Sequence, residues 1–246
     1  MRAAWLALAG LVAAQIAYPL TDGADRARVT VAVVVLGFLA SVAHAATRGV
    51  AGRLVAITAG GGLAVEALGV ATGFPFGGYA YADALGPKVA GVPLVVPLAW
   101  TWMAWPAWLA AGRLARRALP RIGLGAVGLA AWDLFLDPQM VAEGYWTWTD
   151  PHPALPGVPD VPLTNYAGWL VVAVAMMSAL HWLGRDPSYA KSDKKGPFLA
   201  YALYLWTYVA SVAAHGVFLG LPASAGWGAV GMGLVAVPLA VSLARR

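Results

Sequence analysis

Three carboxylic acids sit where a carboxylic acid is expensive. Glu66, Asp133 and Asp137 fall inside long apolar runs, whereas the other acids of the chain lie between such runs. Asp133 and Asp137 are four residues apart, so on a helix they share one face. Two acids on one dry face do not form a structural pair unless one of them holds a proton. Pro138 disfavours helical geometry at Asp137 and so marks a helix end there, where the helix dipole opposes a negative charge. Acids buried in an apolar span mark proton transfer, ion or substrate pathways, or acid catalysis. Glu66 also has a plainer reading, a hydrogen bond to a neighbouring helix.

The elements that must position these acids follow from composition. The chain has 246 residues, of which 61% are hydrophobic and 11% charged. A soluble domain carries about 25% charged residues. The fold class is therefore all-α, a single polytopic membrane helix bundle over residues 1–246. A spanning helix needs about 20 apolar residues. Eight runs qualify: Ala4 to Leu20, Val29 to Ala46, Leu54 to Thr72, Val92 to Gly112, Ile122 to Asp137, Tyr166 to Leu183, Phe198 to Leu219 and Trp227 to Leu243. Arg2 before an apolar run with small residues near Ala14 has the outline of a signal peptide. The run continues through Tyr18 to Leu20, which favours a retained helix.

Positive charge orients the bundle. With the N-terminus cytoplasmic, the outer segments hold only Arg26, Arg28 and Lys88 of the 16 basic residues. The remainder fall on inner segments, the pattern of a protein with both termini cytoplasmic in a cell membrane. The formal charge of +5 reflects this asymmetry and not a nucleic-acid partner. There are no cysteines, so thiolate metal sites and disulfides are excluded. The inner segment Gly184 to Pro197 reads as a solvated loop.

Two outer connections are unusual. Gly73 to Gly91 is rich in glycine and aromatics, and Pro138 to Thr164 is long, proline-rich and aromatic. Loops of this length are usually functional or disordered, and the aromatics argue for packing or for a place at the membrane interface. The inferred topology puts Glu66, Asp133, Asp137, Asn165 and His215 at one depth, in the outer leaflet. His215 reads first as a packing residue and second as part of a substrate wall. His44 and His181 fall near inner helix ends and read as structural. The row Trp100, Trp102, Trp105 and Trp108 reads as packing and lipid contact, with a pocket for a flat apolar molecule as the alternative.

Some chemistries are excluded. Diphosphate-handling prenyl transfer needs two aspartate-rich motifs and nearby basic groups, and here a single D-x-x-x-D stands without an intramembrane Lys or Arg. Di-iron desaturation needs many histidines, and the chain has four. No nucleophile elbow or phosphate loop appears. What remains is acid chemistry in an apolar, aromatic-lined pocket, with no metal site.

The segments VEALGVATGFPFGGYAY (from Val65), LGPKVAGVPLVVPLAW (from Leu85), WDLFLDP (from Trp132), GYWTW (from Gly144) and VPLTNYAGW (from Val161) resemble the membrane carotenoid biosynthesis proteins, a family that includes hydratases of the carotenoid 1,2-hydratase and bisanhydrobacterioruberin hydratase type. The resemblance covers residues 63–169. It implies addition of water to the terminal C=C of an acyclic carotenoid, lycopene-like or a bacterioruberin precursor, without a cofactor. It also implies membrane lipid, and other carotenoid enzymes, as partners. In that reaction a protonated acid starts the chemistry, a second carboxylate handles water, and aromatic faces stabilise the tertiary cation. The Asp133/Asp137 pair is expected to supply the acid and Glu66 to position water, with the roles exchangeable. Tyr79, Tyr81, Trp100, Trp132, Asn165 and His215 are expected to line the substrate site. Competing readings are a carotenoid end-group cyclase, which shares the protonation step, a non-catalytic carrier of lipid or carotenoid, and a proton-coupled transporter. Clustering of the acids at one depth, with no repeat or half-helix pair, speaks against transport.

Overall fold

The computed structural model describes residues 1–183 and 196–245; the segment read above as a solvated loop lies, over 184–195, outside them. Eight helical rods cross the bundle in alternating directions. They are α1 (Arg2–Ala17) with a 3-10 turn (Tyr18–Leu20); α2 (Gly23–Ala46); α3 (Ala51–Val55), continued through a π turn (Ala56–Gly60) into α4 (Gly61–Thr72); α5 (Val95–Leu114); α6 (Ala118–Ala130) followed by α7 (Asp133–Ala142); α8 (Leu163–Leu183); α9 (Phe198–Ala213) with a π turn (Ala214–Phe218); and α10 (Pro222–Ala244). Seven of the eight are long and apolar enough to cross a membrane. The exception is α5, whose tryptophans lower its hydropathy.

That exception is the centre of the molecule. α5 packs against α2, α4, α6, α8, α9 and α10. Trp100, Trp102, Trp105 and Trp108 are all buried, none more than 3% exposed. The expected lipid contact of this row is thus corrected: a helix that is apolar on every side is an interior helix. Exposed aliphatics lie on other helices, such as Leu6, Val171, Val217 and Val230.

The expected helix end at Pro138 is also corrected. The break comes earlier, at Ala131 and Trp132, and α7 then runs through Pro138 to Ala142. Asp133 therefore lies in the first turn of α7 and Asp137 in its middle, which removes the dipole argument for Asp137. A proline inside a helix frees the carbonyl four residues before it. Here the Ser224 hydroxyl of α10 donates to that carbonyl, Leu134, at 2.7 Å. The same device recurs at Pro106 in α5, where Ser41 of α2 donates to the Trp102 carbonyl at 3.0 Å. Inside a bilayer such groups have no water to turn to, so neighbouring helices must satisfy them.

The two long connections are ordered and meet at one end of the bundle. Strand β1 (Tyr79–Tyr81) pairs antiparallel with β4 (Trp146–Trp148). Short hairpins β2 (Lys88–Val89) with β3 (Val92–Pro93), and β5 (Ala154–Leu155) with β6 (Val158–Pro162), complete the cap. The sequences YAY and WTW alternate aromatic with small or polar residues, and strand side chains alternate faces. Ala80 and Thr147 are accordingly exposed, while Tyr79 and Trp146 are buried. Arg26 near the start of α2 pairs with Glu143 at the end of α7 at 2.6 Å, holding the cap end of these two helices together.

Candidate active site

Glu66 is placed by two glycines. Gly62, Glu66 and Gly69 form the buried face of α4. A Cβ at Gly62 would stand 2.6 Å from the Trp100 ring, and one at Gly69 would stand 2.6 Å from the Tyr79 hydroxyl. The missing side chains let both aromatics close on the carboxylate between them. Tyr79 and Tyr81 donate to its Oε2 at 2.6 and 2.8 Å, and the Trp100 indole donates to Oε1 at 3.1 Å. Both oxygens thus act as acceptors. Burial first, and then the charge of Glu66, pushes the Tyr79 and Tyr81 phenols well above the ordinary tyrosine range. The two hydroxyls therefore remain donors at every physiological pH.

Across from Glu66, α7 presents Asp133 and Asp137, 1% and 2% exposed. The Asn165 side-chain amide, at the start of α8, donates to Asp133 Oδ2 at 2.6 Å and also to Asp137 Oδ2. The Trp146 indole donates to Asp137 Oδ1. No donor among the described residues reaches Asp133 Oδ1. The three acids therefore differ: Glu66 has three donors, Asp137 two, and Asp133 one.

All three acids line one cavity of about 30 Å³, together with Asn165, Tyr79, Tyr81 and Trp100. A cavity of this size is large enough to hold water. Its walls are aromatic. Trp100 and Trp169 stack with centroids 4.0 Å apart, Tyr79 lies 4.9 Å from Trp148, and Tyr81 lies 5.4 Å from Trp146. Among the described residues no group of three His, Asp or Glu side chains has the spacing to hold a metal ion.

A model of the carotenoid biosynthesis protein family matches residues 27–235. The chain belongs to that family. It is also similar to a bisanhydrobacterioruberin hydratase of Haloarcula japonica, 34% identical over 112 residues. That alignment takes in 44% of this chain and 36% of the relative, so the chain spans about a third of the length of the curated relative it matches. No solved structure matches.

Within this carotenoid biosynthesis protein, the residues singled out from sequence divide in two. Glu66, Asp133, Asp137, Asn165, Tyr79, Tyr81 and Trp100 converge on the one cavity. Trp132 and His215 do not line it. Trp132 packs edge-on against Trp102 and Trp169 and faces a second cavity. His215, in the π turn after α9, has its ring nitrogens 2.8 Å from the Ser211 carbonyl and 3.1 Å from the Phe135 carbonyl, and the neutral ring donates to one of them, as its tautomer sets. Its geometry is that of a brace behind α7. Both remaining histidines of the earlier reading are structural as expected: His44 accepts from Trp105 at 2.9 Å, and His181 packs on Trp108.

Sequence reasoning missed Trp146, Trp148 and Trp169 as wall residues. The signal for the first two was the alternation in WTW, which matches that in YAY.

Proposed function

We propose that the protein is a carotenoid hydratase acting on the terminal isopropylidene group of an acyclic carotenoid. One arrangement carries this reading: an aromatic-walled cavity with room for water, flanked by a carboxylate that holds three donors and by two adjacent carboxyls that share one neutral amide.

Two carboxylates side by side in a dry site, with a neutral donor between them, are stable as a pair holding one proton. Asp133, the acid with the fewest donors, is the member free to deliver that proton. Protonation of the CH carbon of the terminal (CH3)2C=CH unit breaks the π bond and leaves a tertiary cation on the dimethyl carbon. The Trp and Tyr faces stabilise the cation and offer no nucleophile to trap it. Water in the cavity then attacks the cation, and its proton passes to Glu66, whose oxygens both accept. The net change is addition of one water and formation of a tertiary alcohol. Return of the proton from Glu66 to the aspartate pair resets the site.

A cyclase would run the same protonation but must exclude water from the cation. The room for water beside the three acids favours hydration. The same reading puts the acids toward the outer leaflet of the cell membrane, with both termini cytoplasmic, since among the described residues the end of the bundle opposite the cap carries most of the Lys and Arg.

Expression of the chain in a host making an acyclic carotenoid, with mass analysis of the pigments, tests the proposal. Product heavier by one water is expected. An isomer of unchanged mass would assign the cyclase, and unaltered pigment with the protein present in the membrane would sink both. Asp133→Asn is expected to abolish the mass gain while leaving the protein folded.

A further inference from the structure

A second cavity, of about 90 Å³, lies on the other flank of α7 and borders the first. Its walls are largely apolar, including Val33, Trp102, Trp132, Phe135 and Met140. At 100° per residue along α7, Trp132, Phe135 and Gln139 project to one side and Asp133 and Asp137 to the other. Leu136 falls between the two directions. It is the residue that lines both cavities.

The two spaces suit different contents. The smaller has the acids and room for water, in about a third of the larger one's volume. The larger has mainly apolar walls, with Gln15, Tyr18, Thr30, Gln139 and Ser211 as its polar members, and three times the volume. The proposed hydration needs a hydrocarbon end and a water at the same carboxyls, so the hydrocarbon must approach from a neighbouring space. Building on the hydratase reading, we infer that the larger cavity binds the terminal isoprenoid unit of the substrate, and that Leu136 is the partition determining how far that unit reaches toward Asp133. Its bulk separates water from the polyene until the terminal double bond is in place, which makes it a specificity-determining residue.

The test compares full-length Ala210→Phe, Leu136→Trp, Leu136→Met and Asp133→Asn with the wild type. Each is expressed with an acyclic carotenoid and purified in detergent. Thermal unfolding, bound carotenoid per protein by absorbance, and hydrated product are measured. Ala210 lines the larger cavity from α9, away from the acids. Ala210→Phe is expected to lower bound carotenoid at least tenfold at an unchanged melting temperature. Leu136→Trp is expected to keep the carotenoid but lose product at least tenfold, and the volume-conserving Leu136→Met to restore it. Wild-type binding and turnover in Ala210→Phe would overturn the chamber, and this arm holds even if Leu136→Trp does not fold. Full turnover in Leu136→Trp would overturn the partition. Full turnover in Asp133→Asn would overturn the hydratase site itself, whichever way the other variants behave.

Discussion

The hydroxyl of Ser224 donates to the carbonyl of Leu134 at 2.7 Å, and this carbonyl is the one that Pro138 leaves without a helical partner. Through it, α10 fixes the middle of the helix that carries both aspartates. Loss of a donor to a buried acceptor costs about 1–3 kcal/mol. Ser224→Ala is therefore expected to lower the thermal unfolding midpoint in detergent and to reduce turnover. Ser41→Ala, its counterpart at Pro106, is expected to lower the midpoint by a similar amount while leaving the hydrogen bonds of the three acids in place. Equal turnover loss in both variants would argue against a local role for Ser224.

Asn165 is the joint between Asp133 and Asp137. Asn165→Leu keeps side-chain volume and removes the shared donor. Hydration is expected to fall by roughly 100-fold or more, since a preorganised donor of this kind is worth about that much. Product formation per membrane-embedded protein measures it. Turnover within a factor of two of wild type would show that the amide does not organise the pair.

Tyr79 and Tyr81 both donate to one oxygen of Glu66. Tyr79→Phe and Tyr81→Phe are each expected to reduce turnover by roughly 10-fold. The double variant should lose less than the product of the two, because residues sharing one acceptor are not independent. A double-mutant cycle on turnover reads the coupling, and strict additivity would mean that the hydroxyls act separately.

The same two phenols set an alkaline limit. Their folded pKa values are raised, by burial first and by Glu66 second, above the unfolded value of about 10. The unfolded chain thus releases protons before the folded one. Their contribution to stability is fully present below about pH 10 and is lost as pH climbs above it. The unfolding midpoint is expected to be unaffected by these groups from pH 7 to about 9 and to drop beyond about 10. The drop should be shallower in Tyr79→Phe with Tyr81→Phe; an identical alkaline limb would assign it to other groups.

Gly69→Ala is expected to be more damaging than its size suggests. The added Cβ would meet the Tyr79 hydroxyl at 2.6 Å and push it off Glu66. An exposed glycine of the same helix, Gly61, has nothing within 4 Å of such a Cβ, so Gly61→Ala is expected to be neutral or stabilising. Turnover and melting temperature of the pair, compared side by side, check the difference.

Much was legible before any coordinates. Apolar runs marked all eight helical rods, seven of them long and apolar enough to cross a membrane, because a bilayer requires helices of that length. Alternating crossings also determined that Glu66, Asp133, Asp137 and Asn165 share a depth. Depth is one coordinate of three, however. Which helix faces which is decided by packing, and only the folded bundle put Glu66 opposite the aspartate pair and turned the four tryptophans of α5 inward. Pro138 shows the limit most clearly. Its local preference marks a helix end, and a serine 86 residues later overrides that preference by accepting the role of the missing helical partner. The tyrosine–tryptophan cap is the converse case: the alternation was written in YAY and WTW, but pairing two strands 67 residues apart depends on where their flanking helices end. The sequence alone determined which acids fall inside apolar runs and that they share a depth in the bundle. Tertiary contacts decided which acid holds three donors, which pair shares one amide, and that one cavity joins them.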